Sequence, residues 1–353
     1  MKKEKIKLLI NGFIACVCVL LFVYLMLNLI IGYSSIIFKI ILSATLGVIV
    51  TLILNSIVHE TGHIIAGVIC GLKLNSVQFL CLFVGKVKGK FKVKFKSSEG
   101  ELGVTELYPK TAKKAYEKYV VSAVGGLVAS FILLAVQIII CWFSKSLILY
   151  AGLGITFPIT AYIFLINLLP LFENNDGHLV YTYLLGGDDR KICSNYYKAV
   201  ALLYDGVEPS ELEPSLLIEY EKEGQCSVGI RYLRYLAYIQ SDEERAIKEL
   251  RKISDLTKFY ANREEVFEEL YFSALTIGDD RFVKAYEQDA IKIFSKEERP
   301  QTFRAHAVYR LKNGETDWAK LVLKSGIEFC STYPIKGVAK AEKRYMELML
   351  KNL

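Results

Sequence analysis

Long apolar runs constrain the fold of this chain more than any other feature of its sequence. A helix crosses the ~30 Å hydrocarbon core of a bilayer with about 20 mainly apolar residues, and four runs reach that length. They cover about residues 7–33, 36–70, 118–143 and 147–171. Each run predicts a transmembrane helix. The first is too long for the apolar region of a signal peptide, so we interpret it as a retained span.

The two halves of the 353-residue chain differ in composition. The first half holds the apolar runs, and the second is charged and typical of soluble helices. We predict a membrane-embedded domain over residues 1–186 and a soluble all-α domain over residues 187–353. The fold class is an α-helical membrane protein with about four transmembrane helices and a small β-hairpin or sheet insertion, followed by helical hairpins. The eight cysteines include no CxxC pair, which argues against a disulfide framework and against cysteine-ligated zinc.

Basic residues predict the orientation of the spans. The net charge is +7, and lysines and arginines cluster before the first run, between the second and third, and after the fourth. Cytosolic loops carry an excess of such residues, so the pattern predicts four spans with both termini in the cytosol. Because the charges lie beside apolar runs, they favour a membrane protein over a nucleic-acid-binding protein. We expect a multi-pass protein of a bacterial cytoplasmic membrane.

The stretch SIVHETGHIIAG, in the second run, holds a candidate metal site. His59 and His63 are four residues apart, which places both imidazoles on one face of a helix. Two imidazoles at this spacing can bind one Zn²⁺, and Glu60 beside them can act as a general base toward water. Ionisable residues are costly inside a membrane span and usually serve a function. Zinc needs a third protein ligand, which must come from elsewhere in the chain.

A polar segment at the end of the fourth run, NLLPLFENNDGH, offers that third ligand. In the predicted topology this segment and the two histidines lie at the same depth, near the cytosolic border. The candidate ligands are Glu173, Asp176 and His178; the turn sequence modestly favours Asp176 and leaves the other two open. Pro170 disfavours helix at Leu169. Such irregular backbone is tolerated at membrane depth where it lines a water-filled cavity.

The two motifs, HETGH and NLLPLFENNDG, together resemble the site-2 protease family of intramembrane zinc metalloproteases. The resemblance implies that His59, His63 and Asp176 bind zinc. It also implies that Glu60 activates water and that Asn167 helps to hold the substrate backbone.

The resemblance covers about residues 36–186. Gly125 and Gly126 look like the small-residue motif of the middle core span of the family. Two departures stand out: Ser130 occupies the position where the family motif leads us to expect asparagine, and the spacing between the proline and aspartate of the second motif is one residue longer than usual.

A basic stretch, KVKGKFKVKFK, alternates lysine with mainly apolar residues from Lys86 to Lys96. A period of two predicts a strand with one cationic and one apolar face. The preceding segment SVQFLCLFVG would be its partner, giving a β-hairpin over about 76–97. This hairpin could lie on anionic lipid headgroups, or its edge could receive an unwound substrate segment as an added strand. The sequence leaves both interpretations open.

The soluble half resembles a series of helix–turn–helix units. Gly278 and Gly314 mark two turns that are 36 residues apart, and residues 230–250 suggest an earlier unit. A period near 34 residues suggests tetratricopeptide-like stacking, whose surfaces commonly bind proteins; an ordinary helical bundle is the alternative. His306 is interpreted as structural or exposed.

These features predict a zinc metalloendopeptidase that cleaves a peptide bond within or next to a transmembrane segment, near the cytosolic face. The expected substrate is a transmembrane or membrane-associated protein or peptide, and a cytosolic protein is the expected partner of the helical domain. The main alternative is a non-catalytic membrane adaptor with a structural zinc site. A transporter component is disfavoured because the spans show no internal repeat.

Overall fold

The computed structural model describes most of the chain. The described residues are 2–32, 37–87, 90–95, 102–173, 175–220, 224–254, 269–273, 275–276, 280–296 and 299–353. They form two compact units. The first unit comprises Met1–Lys86, Phe91–Tyr108 and Tyr116–Arg190. The second unit comprises Val87–Lys90, Pro109–Ala115 and Lys191–Leu353.

Four helical segments in the described part of the chain are long and apolar enough to cross a membrane. Three of them are the single helices α1 (Lys2–Gly32), α2 (Ile37–Ile69) and α3 (Ala115–Phe143). The fourth segment, Leu147–Leu168, contains helix α4 (Phe157–Leu168). The prediction of a mainly helical protein with four candidate spans is confirmed by length and composition.

The fourth candidate span is interrupted. A helical turn at Leu147–Leu149 is followed by a π-helical turn at Tyr150–Gly154, and α4 begins only at Phe157. The sequence predicts a span here, and it gives no sign of this interruption. The backbone of α2 approaches the π-helical turn closely, since a Cβ on Gly47 would lie 1.9 Å from the carbonyl oxygen of Gly152. Glycine at this contact allows the two backbones to pack against each other.

Buried polar side chains join α2, α3 and α4 at the level of the spans. The hydroxyls of Thr51 and Thr156 are 2.7 Å apart, and the amide of Asn55 donates to Thr160 Oγ1 at 2.8 Å. Gln137 Nε2 donates to Thr51 Oγ1 at 3.2 Å. All five side chains are at most 2% exposed. Hydrogen bonds of this kind between helices stabilise their association where water is excluded.

The helix α4 ends where the proline predicts it to end. Its last residue is Leu168, and Leu169 is extended with φ −80° and ψ 139° because the following residue is Pro170. A short loop then leads to α5 (Asp176–Leu185). The chain therefore turns away from the axis of α4 shortly before Asp176.

A small sheet follows α2. Its strands are β1 (Leu72–Phe79), β2 (Leu82–Val87), β3 (Lys90–Phe95) and β4 (Gly103–Pro109). The strand order is β3-β2-β1-β4. β1 and β2 are antiparallel, with Val77 opposite Val84 and Phe79 opposite Leu82. Leu80, with φ 51°, lies in the tight turn between them.

The predicted hairpin differs from this sheet in two respects. Residues 76–85, predicted as one strand, contain the turn between β1 and β2. The basic stretch, also predicted as one strand, is divided between the end of β2 and β3; residues 88–89 and 96–101 lie outside the described part. The two strands are separated by two residues, and an even spacing preserves the alternation of lysine and apolar residues. The alternation therefore could not reveal the boundary, and β4 was not predicted at all.

The rest of the described chain is mainly helical. Its longer helices are α6 (Gly187–Asp205), α7 (Gln225–Tyr238), α8 (Glu243–Ser254), α9 (Asp280–Lys296), α10 (Pro300–Lys312), α11 (Thr316–Cys330) and α12 (Lys336–Lys351). Gly314, with φ 76°, lies in the turn between α10 and α11, as the sequence predicts. Gly278 lies outside the described residues, so the tetratricopeptide-like repeat stays a prediction.

A buried ion-pair network lies in the core of the second unit. Arg304 is 0% exposed; its Nε donates to Glu342 Oε2 at 2.7 Å and its Nη2 donates to Glu269 Oε1 at 2.9 Å. Its guanidinium lies 3.9 Å from the ring centroid of Phe272, and the Tyr235 hydroxyl donates to Glu269. A buried cation of this kind is tolerated because its neighbours compensate the charge.

His306 lies on α10 in the same unit. Its ring stacks on Phe294, with centroids 4.8 Å apart, and its Nε2 accepts a hydrogen bond from Arg310 Nε at 3.0 Å. Burial lowers the pKa of His306 below its ordinary value. These contacts are those of a partly buried structural residue.

Candidate metal centre

Three potential metal ligands converge in the first unit. His59 and His63, on α2, direct their Nε2 atoms toward Asp176 at the start of α5. Oδ2 of Asp176 lies 3.1 Å from Nε2 of His59 and 3.3 Å from Nε2 of His63. The two Nε2 atoms are 3.0 Å apart. The three ligand atoms thus form a nearly regular triangle, in which the aspartate lies more than 110 positions after the two histidines in the chain.

Asn175 fixes the position of Asp176 by capping α5. Its side-chain oxygen accepts a hydrogen bond from the backbone N–H of His178 at 2.8 Å. Its side-chain amide donates to the carbonyl oxygens of Ile166 and Leu169, each at 2.6 Å. Carbonyl groups at the end of a helix lack partners within the helix. A single asparagine therefore caps the start of α5 and ties it to the end of α4.

The glycine after Asp176 is required by close backbone packing. A Cβ on Gly177 would lie 2.0 Å from the carbonyl oxygen of Leu168. Any larger residue would push the start of α5 away from the end of α4. The Asp-Gly pair of the second motif therefore has a steric reason in this fold.

The second nitrogen of each imidazole is also held. His59 Nδ1 lies 2.9 Å from the hydroxyl oxygen of Ser130, and His63 Nδ1 lies 2.9 Å from the carbonyl oxygen of Ser122. A carbonyl can only accept, so Nδ1 of His63 carries a proton, which leaves Nε2 as the nitrogen that can bind a metal. Metal-binding histidines are commonly oriented in this way. Ser130, which replaces the asparagine expected from the resemblance, contacts the His59 ring directly.

Glycines allow α3 to approach the two histidines. A Cβ on Gly126 would lie 2.5 Å from Nε2 of His63, and a Cβ on Gly125 would lie 2.3 Å from Cβ of Ala66. On the facing helix, a Cβ on Gly62 would lie 2.4 Å from the carbonyl oxygen of Gly125. Small residues of this kind permit close contact between membrane helices. Here they leave room for the imidazole of His63.

Glu60 lies beside the triangle and beneath β4. It is 4% exposed, and its Oε2 accepts a hydrogen bond from Thr105 Oγ1 at 2.6 Å. A Cβ on Gly103 would lie 2.6 Å from Glu60 Oε1. One turn earlier in α2, the Ser56 hydroxyl donates to the carbonyl oxygen of Leu102 at 2.6 Å. The segment from Leu102 to Thr105 thus covers the carboxylate of Glu60.

The arrangement fits a metal ion by two criteria. Ligands at ~2.0–2.1 Å from a tetrahedral Zn²⁺ are about 3.3 Å apart, close to the 3.0–3.3 Å between these atoms. Apart from the two imidazoles, the buried Oδ2 of Asp176 has no hydrogen-bond partner among the described residues, and a cation would satisfy it. Ligand atoms of His59, Glu60 and His63 also lie within 4.8 Å of one another. We favour Asp176 over Glu60 as the third ligand because Glu60 accepts a hydrogen bond from Thr105.

The charge state of Asp176 suits a metal ligand. Burial acts to raise the pKa of its carboxyl group, but contacts with His59 and His63 outweigh burial and hold this pKa below its ordinary value. The carboxylate is therefore ionised at neutral pH. The side chains of all three residues are mostly buried, with exposed fractions of 12%, 13% and 16% for His59, His63 and Asp176.

The remaining predicted site residues occupy nearby positions. Glu173 lies in the loop before α5, and His178 lies in the first turn of α5. The structure thus brings Asp176 to both imidazoles, in line with the modest preference drawn from the turn sequence. Asn167 donates its side-chain amide to the carbonyl oxygen of Ile163, at 3.1 Å, within α4. Its role in substrate binding stays a prediction.

Several residues that shape the centre were not identified from the sequence as site residues. They are Ser56, Ser122, Thr105 and Asn175. Hydroxyl and amide residues are common, and no local pattern distinguishes those that face the site. The Asn-Asn-Asp-Gly turn offered a signal for the cap, since asparagine is among the preferred residues at helix N-termini.

The chain matches no protein-family model, no curated protein and no solved structure with which it was compared. The resemblance to site-2 proteases therefore rests on the two motifs quoted above.

Proposed function

We propose that the protein is an intramembrane zinc metalloendopeptidase of the kind that the site-2 protease resemblance implies. It would cleave a peptide bond within or next to a transmembrane segment of its substrate, near the cytosolic face. The observation that supports this proposal most strongly is the convergence of His59, His63 and Asp176 beside Glu60. Metal-assisted hydrolysis requires a metal site and a general base next to it, and these four residues could provide both.

Zinc is the metal that the donor set favours. Two imidazoles and one carboxylate are a common ligand set of catalytic zinc, which leaves a fourth position for water or substrate. When bound, Zn²⁺ supplies Lewis-acid polarisation of the scissile carbonyl group. Ser130 and the backbone of Ser122 hold the imidazole rings of His59 and His63 with their Nε2 atoms toward the metal position.

Glu60 is the proposed general base. Its Oε2 is engaged by Thr105, and we assign the proton transfer to Oε1. This oxygen takes a proton from the attacking water and later delivers it to the leaving amine. Thr105 acts as a positioning residue, because its hydrogen bond restricts rotation of the carboxylate. The surrounding span restricts the access of bulk water.

β4 is the strand best placed to hold a substrate. A transmembrane helix must be extended before it is cut, and an extended segment can pair with a sheet edge. In the strand order β4 is an edge strand, and its first residues lie over Glu60. The basic strand β3 is at the opposite edge, where Lys92 and Lys94 are exposed together with Phe91 and Val93. We therefore assign substrate pairing to β4 and contact with lipid headgroups to β3.

The test is the substitution Glu60→Gln in the full-length protein. The probe is a co-expressed, tagged single-span membrane protein with helix-destabilising residues at the cytosolic end of its span. We expect cleavage of this probe to fall by a factor of ~10²–10⁴, the usual contribution of a general base, with the zinc content unchanged. Glu173→Gln is the matched control, and it should retain both zinc and cleavage.

Two outcomes contradict the proposal in different ways. Full cleavage by Glu60→Gln would remove Glu60 from the mechanism. The second outcome is that zinc binding depends on His59 and Asp176 but the unsubstituted protein cleaves no transmembrane probe. This result would support the alternative of a membrane adaptor with a structural zinc site. The burial of Glu60 beneath β4 favours this alternative, because a buried carboxylate is less accessible to a substrate.

A further inference from the structure

Two cysteines of the second unit lie in direct contact. Cys193, on α6, and Cys226, in the first turn of α7, are 33 residues apart in the chain, and their Sγ atoms are 2.6 Å apart. This separation is only about 0.6 Å longer than the ~2.0 Å bond of a disulfide. A small displacement of either side chain would therefore bring the two sulfur atoms to bonding distance.

The surroundings of the pair differ between its two members. Cys193 is buried, with 9% of its surface exposed, whereas Cys226 is partly exposed. Cys226 is the second residue of the 14-residue helix α7, at the positive end of the helix dipole. Cys226 is thus the sulfur that an oxidant would reach first, and Cys193 is the sulfur behind it.

A tyrosine closes the other side of the pair. Tyr196, one turn after Cys193, packs against α7 so closely that a Cβ on Gly229 would lie 2.3 Å from its ring. Burial, together with the two thiols, raises the pKa of Tyr196 to about 12. The phenol therefore stays neutral at physiological pH. The ring of Tyr196 lies between α6 and α7, beside the two cysteines.

We propose that Cys193 and Cys226 form a reversible redox pair that responds to peroxide. The Cys226 thiol reduces one molecule of hydrogen peroxide, forming a sulfenic acid and releasing water. The Cys193 sulfur then attacks the sulfenic sulfur; the S–S bond forms, and the second oxygen leaves as water. In total two thiols lose two electrons and two protons to the peroxide, which becomes two molecules of water. A dithiol reductant reverses the reaction by thiol–disulfide exchange.

The proposed cytosolic location of this unit, which rests on the predicted topology, makes the pair a sensor rather than a permanent cross-link. Thiols are kept reduced in the cytosol, and disulfides that form there are usually transient. Oxidation would link α6 covalently to α7. The buried Cys330 provides a contrast in the same unit, because burial raises the pKa of its thiol to about 12. It should not react under the same conditions.

The test counts thiols in the full-length protein in detergent, reduced and then treated with a small excess of hydrogen peroxide. After denaturation, a maleimide reagent should label all eight cysteines of the reduced protein and two fewer after oxidation. Peptide mapping should find Cys193 joined to Cys226, and dithiothreitol should restore both thiols. Cys193→Ser and Cys226→Ser should each abolish the cross-link, whereas the control Cys330→Ala should preserve it.

The proposal is overturned if the thiol count does not fall on oxidation, or if the mapped cross-link joins other cysteines. It is also overturned if Cys226 is driven to sulfinic acid without forming a bond to Cys193. The mapping is done on the unsubstituted protein, so the result does not depend on whether the serine variants fold.

Discussion

The two units of the protein both bury charged side chains, but they satisfy them differently. In the second unit, both carboxylate oxygens of Glu269 and of Glu342 accept hydrogen bonds from Arg304. In the first unit, the buried Oδ2 of Asp176 faces two imidazoles and has no hydrogen-bond partner among the described residues. Carboxylates that are fully paired stabilise a fold. An unpartnered carboxylate oxygen does not by itself set the first unit apart, because Glu249 Oε2 of the second unit is also without a partner. The two imidazoles beside Asp176 set it apart, and they make it a candidate metal ligand.

The largest expected effect comes from breaking the paired cluster. Arg304→Ala would leave Glu269 and Glu342 buried without their cation, and breaking a buried pair in this way costs ~3–5 kcal/mol. We expect the second unit to lose that much free energy of unfolding in denaturant titrations followed by circular dichroism. Arg344→Ala is the matched control: Arg344 is 52% exposed and bridges to Glu208, so its loss should cost ~1 kcal/mol or less.

Substitution of Asp176 at the candidate metal centre should affect zinc binding more than stability. Asp176→Ala removes a carboxylate whose neighbours are two imidazoles rather than a permanent cation, so the metal-free protein should lose less stability than the Arg304 variant does. Zinc content, measured by atomic absorption, should instead be lost. A metal-free Asp176→Ala protein as destabilised as Arg304→Ala would show that the two carboxylate sites are of the same kind and would contradict the comparison.

A smaller effect is expected from the residue that orients His59. Ser130→Ala removes the contact to Nδ1, and loss of such an outer contact weakens metal binding by ~10–100-fold. Competition with a chromogenic zinc chelator measures this change. Ser144→Ala, just after the end of α3, is the control, because its hydroxyl donates to the backbone of Ser146, away from the two histidines. Equal zinc affinities for the two variants would contradict the assignment of Ser130 as the residue that orients His59.

The smallest effect is expected at Thr105. Thr105→Val removes the hydroxyl that donates to Glu60 while keeping a similar volume. A hydrogen bond to a charged group contributes, at the lower end of its range, ~1.5 kcal/mol, which is about ten-fold in rate. We expect cleavage of the transmembrane probe to fall by about ten-fold, with zinc affinity unchanged and with an altered pH profile. The control Thr45→Val removes a hydroxyl that donates to the carbonyl oxygen of Ile41 in its own helix, at 2.8 Å. An unchanged pH profile in Thr105→Val would mean that Thr105 has no positioning role.

Much of the helical framework could be predicted because its signals are local. Apolar runs of sufficient length predicted four spans, and the residue before Pro170 ended α4 as steric conflict requires. Boundaries that depend on contacts between distant segments were missed. The interruption of the fourth span lies where Gly47 meets the backbone of Gly152, and β4 is held by its pairing with β1. Neither contact leaves a periodic trace in the sequence.

The sequence by itself determined the chemistry that is available: His59 and His63 share a helix face because they are four residues apart, and Glu60 is adjacent to them. Only the tertiary structure decided that Asp176 meets both imidazoles, and that Cys193 and Cys226 touch. Such contacts depend on how closely helices approach, and that distance is set by residues such as Gly126 and Gly177, which leave out a Cβ where two segments would otherwise collide. Spacing along the chain shows which side chains share a helix or strand. Only the packing of the folded chain shows which helices and strands are in contact.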